Sequence, residues 1–178
     1  MQVTRPQFGP CELPPTALLR KYQIGNAYAD CFVSEVAGRV TQAQWVEAFY
    51  TTRLFKLERS VLQRLASRPS TDLQARQLAE GKLDTFAAWR VEARGENQLL
   101  LADFTGRTKS WLMVERVDRD LSEPSTRLYF GSAVLPQTDA KTGKQSLGLL
   151  FSALLGFHKL YSRLLVSAAT ARVAQRKA

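Results

Sequence analysis

"AAWRVEARGENQLLLADFTGRTKSWLMVERV", residues 87–117, decides the fold. Trp89, Val91 and Ala93 alternate with Arg90, Glu92 and Arg94, the period of a half-buried strand with one wet face. "GEN" at 95–97 is a turn, and "QLLLADF" at 98–104 reads as a second strand, so the two form a hairpin. "TGR" at 105–107 turns the chain into "TKSWLMVERV", and "EPS" at 123–125 leads into "TRLYFGSAVL". Strands joined by such short polar turns pair antiparallel, because parallel neighbours need long crossovers. Together with 126–135, the stretch predicts a four-strand meander.

Upstream, "YADCFVSEV" (28–36) is rich in aromatic and β-branched residues and predicts a further strand, broken by Gly38. Thr41 followed by Gln44 spells a capping box, and Trp45, Ala48 and Phe49 continue it at helical spacing. "LFKLERSVLQRLA" (54–66) places Leu54, Leu57, Val61, Leu62 and Leu65 on one face and ends before Pro69. Thr71 with Gln74 opens a shorter, more polar helix closed by Gly81. Pro6, Pro10, Pro14 and Pro15 forbid a regular helix near the start. Residues 1–25 are therefore expected to be an extended arm ahead of a single domain, 26–178. Five strands are legible in all.

Downstream, "PQTDAKTGKQ" (136–145) is a polar loop, and everything after Ser146 predicts one long helix. Leu147, Leu150, Phe151, Leu154, Tyr161, Leu165 and Ala168 form one stripe on it, with His158 at the centre. A second apolar flank carries Leu149, Ala153, Phe157, Leu160 and Leu164, more than one sheet face needs. The early helices, a second copy of the chain or a lipid surface would cover that flank. A meander with one wet face must bury the other, and this helix is the long apolar element left to cover it. The expected class is α+β: an antiparallel sheet wrapped around a long C-terminal helix, with two or three short helices after the first strand.

That order resembles the helix-grip arrangement of the superfamily containing START lipid-transfer domains, plant pathogenesis-related proteins and polyketide cyclases. "YADCF" (28–32) and "GFHKLYSRLL" (156–165) more narrowly resemble an uncharacterised bacterial branch, sometimes found beside short-chain-dehydrogenase-like domains. The resemblance implies a cavity between sheet and helix that takes a small hydrophobic or lipid-like ligand. Trp89, Trp111, Met113, Phe130, His158 and Tyr161 are the expected lining.

His158 is the lone histidine. It is either a buried neutral imidazole satisfied by a neighbouring group, or a polar anchor in an apolar pocket. Asp30, Asp103, Glu115 and Tyr129 are candidate partners. With a carboxylate beside it, His158 would instead serve acid–base chemistry of a cyclase or dehydratase type. A third reading is an interaction protein that dimerises, or docks on a membrane surface, through the last helix.

The remaining features mostly exclude. Two cysteines, Cys11 and Cys31, without CxxC spacing give neither a disulfide framework nor a zinc site, so free thiols and no metal or other cofactor are expected. Phosphate loops, GxSxG elbows and dinucleotide fingerprints do not occur. The opening residues contain four prolines and no apolar h-region, which points to a cytoplasmic protein. The net charge is +9, and from Lys141 onward seven basic residues meet no acidic one. A basic tail without a basic sheet face is a weak nucleic-acid footprint, whereas it suits a helix C-terminus or an anionic membrane surface.

Overall fold

The computed structural model describes residues 8–23, 27–57, 70–117, 124–138, 145–146 and 149–175, with side chains for all of these except 137–138, 145–146 and 149–159. Seven strands form one open antiparallel sheet: β1 (Phe8–Pro10), β2 (Tyr28–Ala37), β3 (Thr85–Phe86), β4 (Trp89–Gly95), β5 (Gln98–Asp103), β6 (Thr108–Val117) and β7 (Ser125–Val134), in the order β1-β2-β7-β6-β5-β4-β3. Helices α1 (Gln42–Tyr50) and α2 (Asp72–Ala79) follow β2, and α3 (Leu149–Gln175) ends the chain. The short strands β8 (Gln137–Thr138) and β9 (Gln145–Ser146) pair with each other inside the segment expected to be a polar loop. The class is α+β, an open antiparallel sheet with a C-terminal helix in a helix-grip-like arrangement. Two strands had no sequence signal. β1 lies in the proline-rich arm, and β3 is only two residues long.

The local signals account for both short helices. Thr41 and Thr71 each accept a hydrogen bond from the backbone N–H of Gln44 and Gln74, and each glutamine side chain accepts one from its threonine N–H. These boxes satisfy backbone donors that a helix start would otherwise leave unpaired. α2 closes on Gly81, at φ +75°, with Gly81 N–H donating to Leu78 O and Lys82 N–H to Gln77 O. That left-handed position favours glycine. Of the helix expected over 54–66, residues 53–57 are helical, and the rest lies outside the described residues.

The sheet is buried on both faces. Its inner face carries Phe32, Leu99, Leu101, Leu112, Leu128 and Phe130 against Trp45, Phe49, Leu78, Leu165, Val166 and Val173 of the helices. The outer face, expected to be wet, carries Cys31, Leu100, Trp111, Met113, Tyr129 and Ala133. Leu13, Ala17 and Leu19 cover it, from the proline-rich arm and the 3-10 turn Leu18–Tyr22. The arm is thus a lid on the second face. Gln98 fastens it: its side-chain oxygen accepts from Leu18 N–H and Trp111 Nε1, both at 2.9 Å, and its amide donates to Thr16 O at 3.0 Å.

Two further expectations are corrected. The alternation of β4 breaks at a bulge between Val91 and Ala93. An inserted residue shifts the remainder of the strand to the other face, so Ala93 joins the outer cluster while Arg94 donates to Leu78 O and Leu83 O beside α2. On α3 the buried side carries Ser162, Leu165, Val166, Ala169, Thr170 and Val173, with Ala168 exposed. This is about a quarter turn from the expected stripe at 100° per residue, because α1 and β2 together set the packed side. Leu160 and Leu164 of the second flank are exposed, 55% and 51%.

Candidate functional site

Strand register puts polar residues in one row across an otherwise apolar inner face. Asp30 lies opposite Ser132, and Ser132 opposite Ser110. The next inner row is Phe32, Phe130, Leu112 and Leu99. Period-two alternation therefore aims Asp30, Ser132 and Ser110 to the helix side, with Phe32, Phe130 and Leu112. Asp30 Oδ1 accepts from Ser132 Oγ at 2.7 Å and Ser132 N–H at 3.1 Å, and its Oδ2 accepts from Tyr28 OH at 2.8 Å. Burial, and then the neighbouring Asp30 charge, push the Tyr28 phenol well above the ordinary tyrosine range. Tyr50, from the last turn of α1, shares a 2.9 Å hydrogen bond with Ser110 Oγ, and both residues are buried. Its ring is held edge-on by Phe49, Phe55 and Phe86.

Trp89 starts β4 on the same face, opposite Asp103 and packed against the inner cluster. Its indole Nε1 is buried and has no hydrogen-bond partner among the described residues. A buried donor left unpaired costs about 1–3 kcal/mol. The inner face thus offers an aromatic wall (Phe130, Phe49, Tyr50), an anchored carboxylate, two hydroxyl groups in one pair, and an unmatched donor.

The expected lining residues divide between the two faces. Trp89, Phe130 and Tyr161 belong to the inner cluster, or pack on it. Trp111 and Met113 do not join them. They flank Leu112, which takes the inner face, so alternation sends both to the outer one beneath the arm. His158 lies in the N-terminal half of α3, where its side chain is outside the described residues. Of its four candidate partners, Glu115 and Tyr129 are on the outer face, where Tyr129 OH donates to Glu115 at 2.7 Å. Asp103 serves a turn, accepting from Thr105 Oγ1, Arg107 N–H and Thr108 N–H. Asp30 is on the helix side. Ser132, Ser110 and Tyr50 carried no local signal, because each matters only through its neighbour across a strand or helix.

A concavity lies outside, between the arm and the sheet. It is an open groove of about 660 Å³, lined by Phe8, Leu13 and prolines on one side and by Glu35, Glu115, Arg127 and Tyr129 on the other. Its charges answer one another. Arg127 reaches Glu115 at 3.3 Å and Glu35 at 3.5 Å, and Ser125 Oγ donates to Glu35 at 2.7 Å. Nearer the 3-10 turn, Glu92 receives Lys109 Nζ and Lys21 Nζ, each at 2.6 Å, and Tyr22 OH. Burial alone would raise the Glu92 carboxyl, but these hydrogen bonds outweigh it and hold its pKa at about 2, below the ordinary 4.5. Lys109, with a side chain only 5% exposed, also lies 4.7 Å from the Tyr22 ring centroid.

Among the described residues there is no cluster of three or more His, Cys, Asp or Glu side chains placed to hold a metal. None of their helices is long and apolar enough to cross a membrane. No family model matches the chain, and no curated protein matches it.

Proposed function

We propose that the chain binds a small, mostly apolar molecule between the inner sheet face and α3, and that the Asp30–Ser132–Ser110–Tyr50 row orients its polar end. The observation that carries this is the buried, unpartnered indole N–H of Trp89 on the same face as that row. Small-molecule sites combine apolar walls with a few polar groups that set orientation. Here the wall is aromatic, and Asp30, Ser132 and Ser110 sit on strands, where backbone pairing holds them, with Tyr50 reaching in from α1. The helix-grip-like arrangement supports the same reading. The favoured ligand has an apolar body with an oxygen acceptor for Trp89 and a donor for Asp30.

Native mass spectrometry of the freshly purified chain, followed by tryptophan quenching with a fatty acid, a sterol and an aromatic polyketide, tests this directly. Trp89→Phe keeps an aromatic ring, though a smaller one, and removes the donor. It is expected to weaken binding of the responding probe about tenfold, the worth of one hydrogen bond, with the melting temperature little changed. No co-purified adduct and no response to any probe would end the reading.

A further inference from the structure

Cys11 and Cys31, expected to be unrelated free thiols, face each other with their Sγ atoms 3.0 Å apart. Their meeting follows from the β1–β2 register. Phe8, Gly9 and Pro10 lie opposite Ser34, Val33 and Phe32, and one residue further Cys11 N–H donates to Cys31 O at 3.0 Å. Residues directly opposite on antiparallel strands have Cα atoms about 4.5–5.5 Å apart, inside the span a disulfide bridges. The pair also joins two different parts of the fold. Cys31 is buried on the outer face of β2, and Cys11 is half-buried on the arm that covers that face.

A cavity of about 360 Å³ opens onto both thiols, with Glu12, Arg20 and Gln23 on its walls. Small disulfides of the glutathione type carry carboxylates that a guanidinium such as Arg20 would receive. The two thiols are also unequal. The hydrogen bond from Cys31 favours a Cys11 thiolate and lowers its pKa, whereas its contact with Cys11, and then burial, push Cys31 up. The thiolate is the nucleophile in exchange, so the more accessible partner, half-buried Cys11, is also the one equipped to attack first.

We propose that Cys11 and Cys31 are a redox-active dithiol, oxidised by small disulfides to a bond that locks the arm onto the outer face of the sheet. The Cys11 thiolate attacks one sulfur of the small disulfide, whose S–S bond breaks and releases one thiolate. Cys31 then gives up its proton and attacks the Cys11 sulfur of the mixed disulfide, forming Cys11–Cys31 and releasing the second thiolate. The two cysteine protons pass to the two released thiolates. One small disulfide is reduced to two thiols as two cysteine thiols become one disulfide. In the reduced chain, hydrogen bonds, apolar contacts and the Glu92 ion pairs hold the arm; in the oxidised chain a covalent bond is added.

The test is a titration of the purified full chain in mixtures of oxidised and reduced glutathione, with free thiols alkylated and intact masses read. Wild type is expected to lose two hydrogens within one chain, reversibly. Limited proteolysis in residues 11–23 should then slow on the order of tenfold or more. Cys31→Ser, or Cys31→Ala should the serine variant not fold, is expected to hold one glutathione on Cys11, while Cys11→Ser leaves Cys31 unmodified. Two free thiols throughout the titration, cross-links only between chains, or a Cys11→Ser variant that takes up glutathione as readily as Cys31→Ser would overturn the proposal.

Discussion

The two faces of this sheet are covered in different ways. Inside, α1, α2 and α3 supply a continuous aromatic and aliphatic layer, in which Phe49 stacks on Phe130 at 4.8 Å and Phe55 on Phe86 at 6.2 Å. Outside, one strand-like arm and a single 3-10 turn cover a smaller cluster. They are fastened by Gln98, the Glu92 ion pairs and the adjoining thiols. Apolar burial scales with area and changes little with pH or redox state. A cover held partly by a half-buried carboxylate and two cysteines responds to both. The inner cover makes the fold; the outer one is conditional.

Truncating matched leucines tests that contrast most severely. Leu112 on the inner face and Leu19 in the arm are both fully buried. Either change to alanine costs about 2–5 kcal/mol. Leu112→Ala is expected to lower global stability in urea. Leu19→Ala should instead raise hydrogen exchange in residues 11–23 and leave most of the global transition in place. Equal losses of global stability would show that arm and core unfold as one unit.

A smaller effect is expected at Gly131, on the outer face of β7. A Cβ there would stand 2.8 Å from Leu19 Cδ2 and 3.0 Å from both Trp111 Cε3 and Asp30 O. Gly131→Ala should cost about 1–3 kcal/mol, the usual penalty for overpacking. Tryptophan emission should shift to the red as the arm lifts from Trp111. Adding Leu19→Ala removes the tightest contact, so the double variant should lose less than the sum of the two singles. Strict additivity would place the strain elsewhere.

The mildest expected effect is acid release of the arm. The folded pKa of Glu92 is depressed, so its contribution is complete above about 4.5 and is lost as pH falls towards about 2. A fluorescence step in that window should precede unfolding of the inner core. Glu92→Gln should abolish the step and leave the arm looser at neutral pH. A step that survives the substitution belongs to other carboxylates.

Much of this architecture was legible because its signals are local. Capping boxes at Thr41 and Thr71, a left-handed glycine at 81 and polar turns between strands each act within a few residues. The second buried face overturns the one-wet-face expectation drawn from the 89–94 alternation, although a signal for it stands in the sequence. "LLLA" at 99–102 and "WLMV" at 111–114 do not alternate, which is the pattern of strands covered on both sides. Leu13, Ala17 and Leu19 stand ready in the arm to cover them. What gave no signal was the bulge at Val91–Ala93, and with it the side on which Glu92 and Arg94 work.

By itself, the sequence determined the α+β class, the order of the longer elements, the meander and the terminal helix, since periodicity and capping depend on near neighbours. Only the tertiary structure decided that Trp111 and Met113 face away from Phe130, that Asp30 meets Ser132 across 102 residues, and that Cys11 meets Cys31. Those pairings depend on strand register, and one residue of slip sends every side chain to the opposite face. Register is settled by how the arm, the sheet and the helices bury their apolar surface together, a sum over distant contacts that no single stretch of the chain contains.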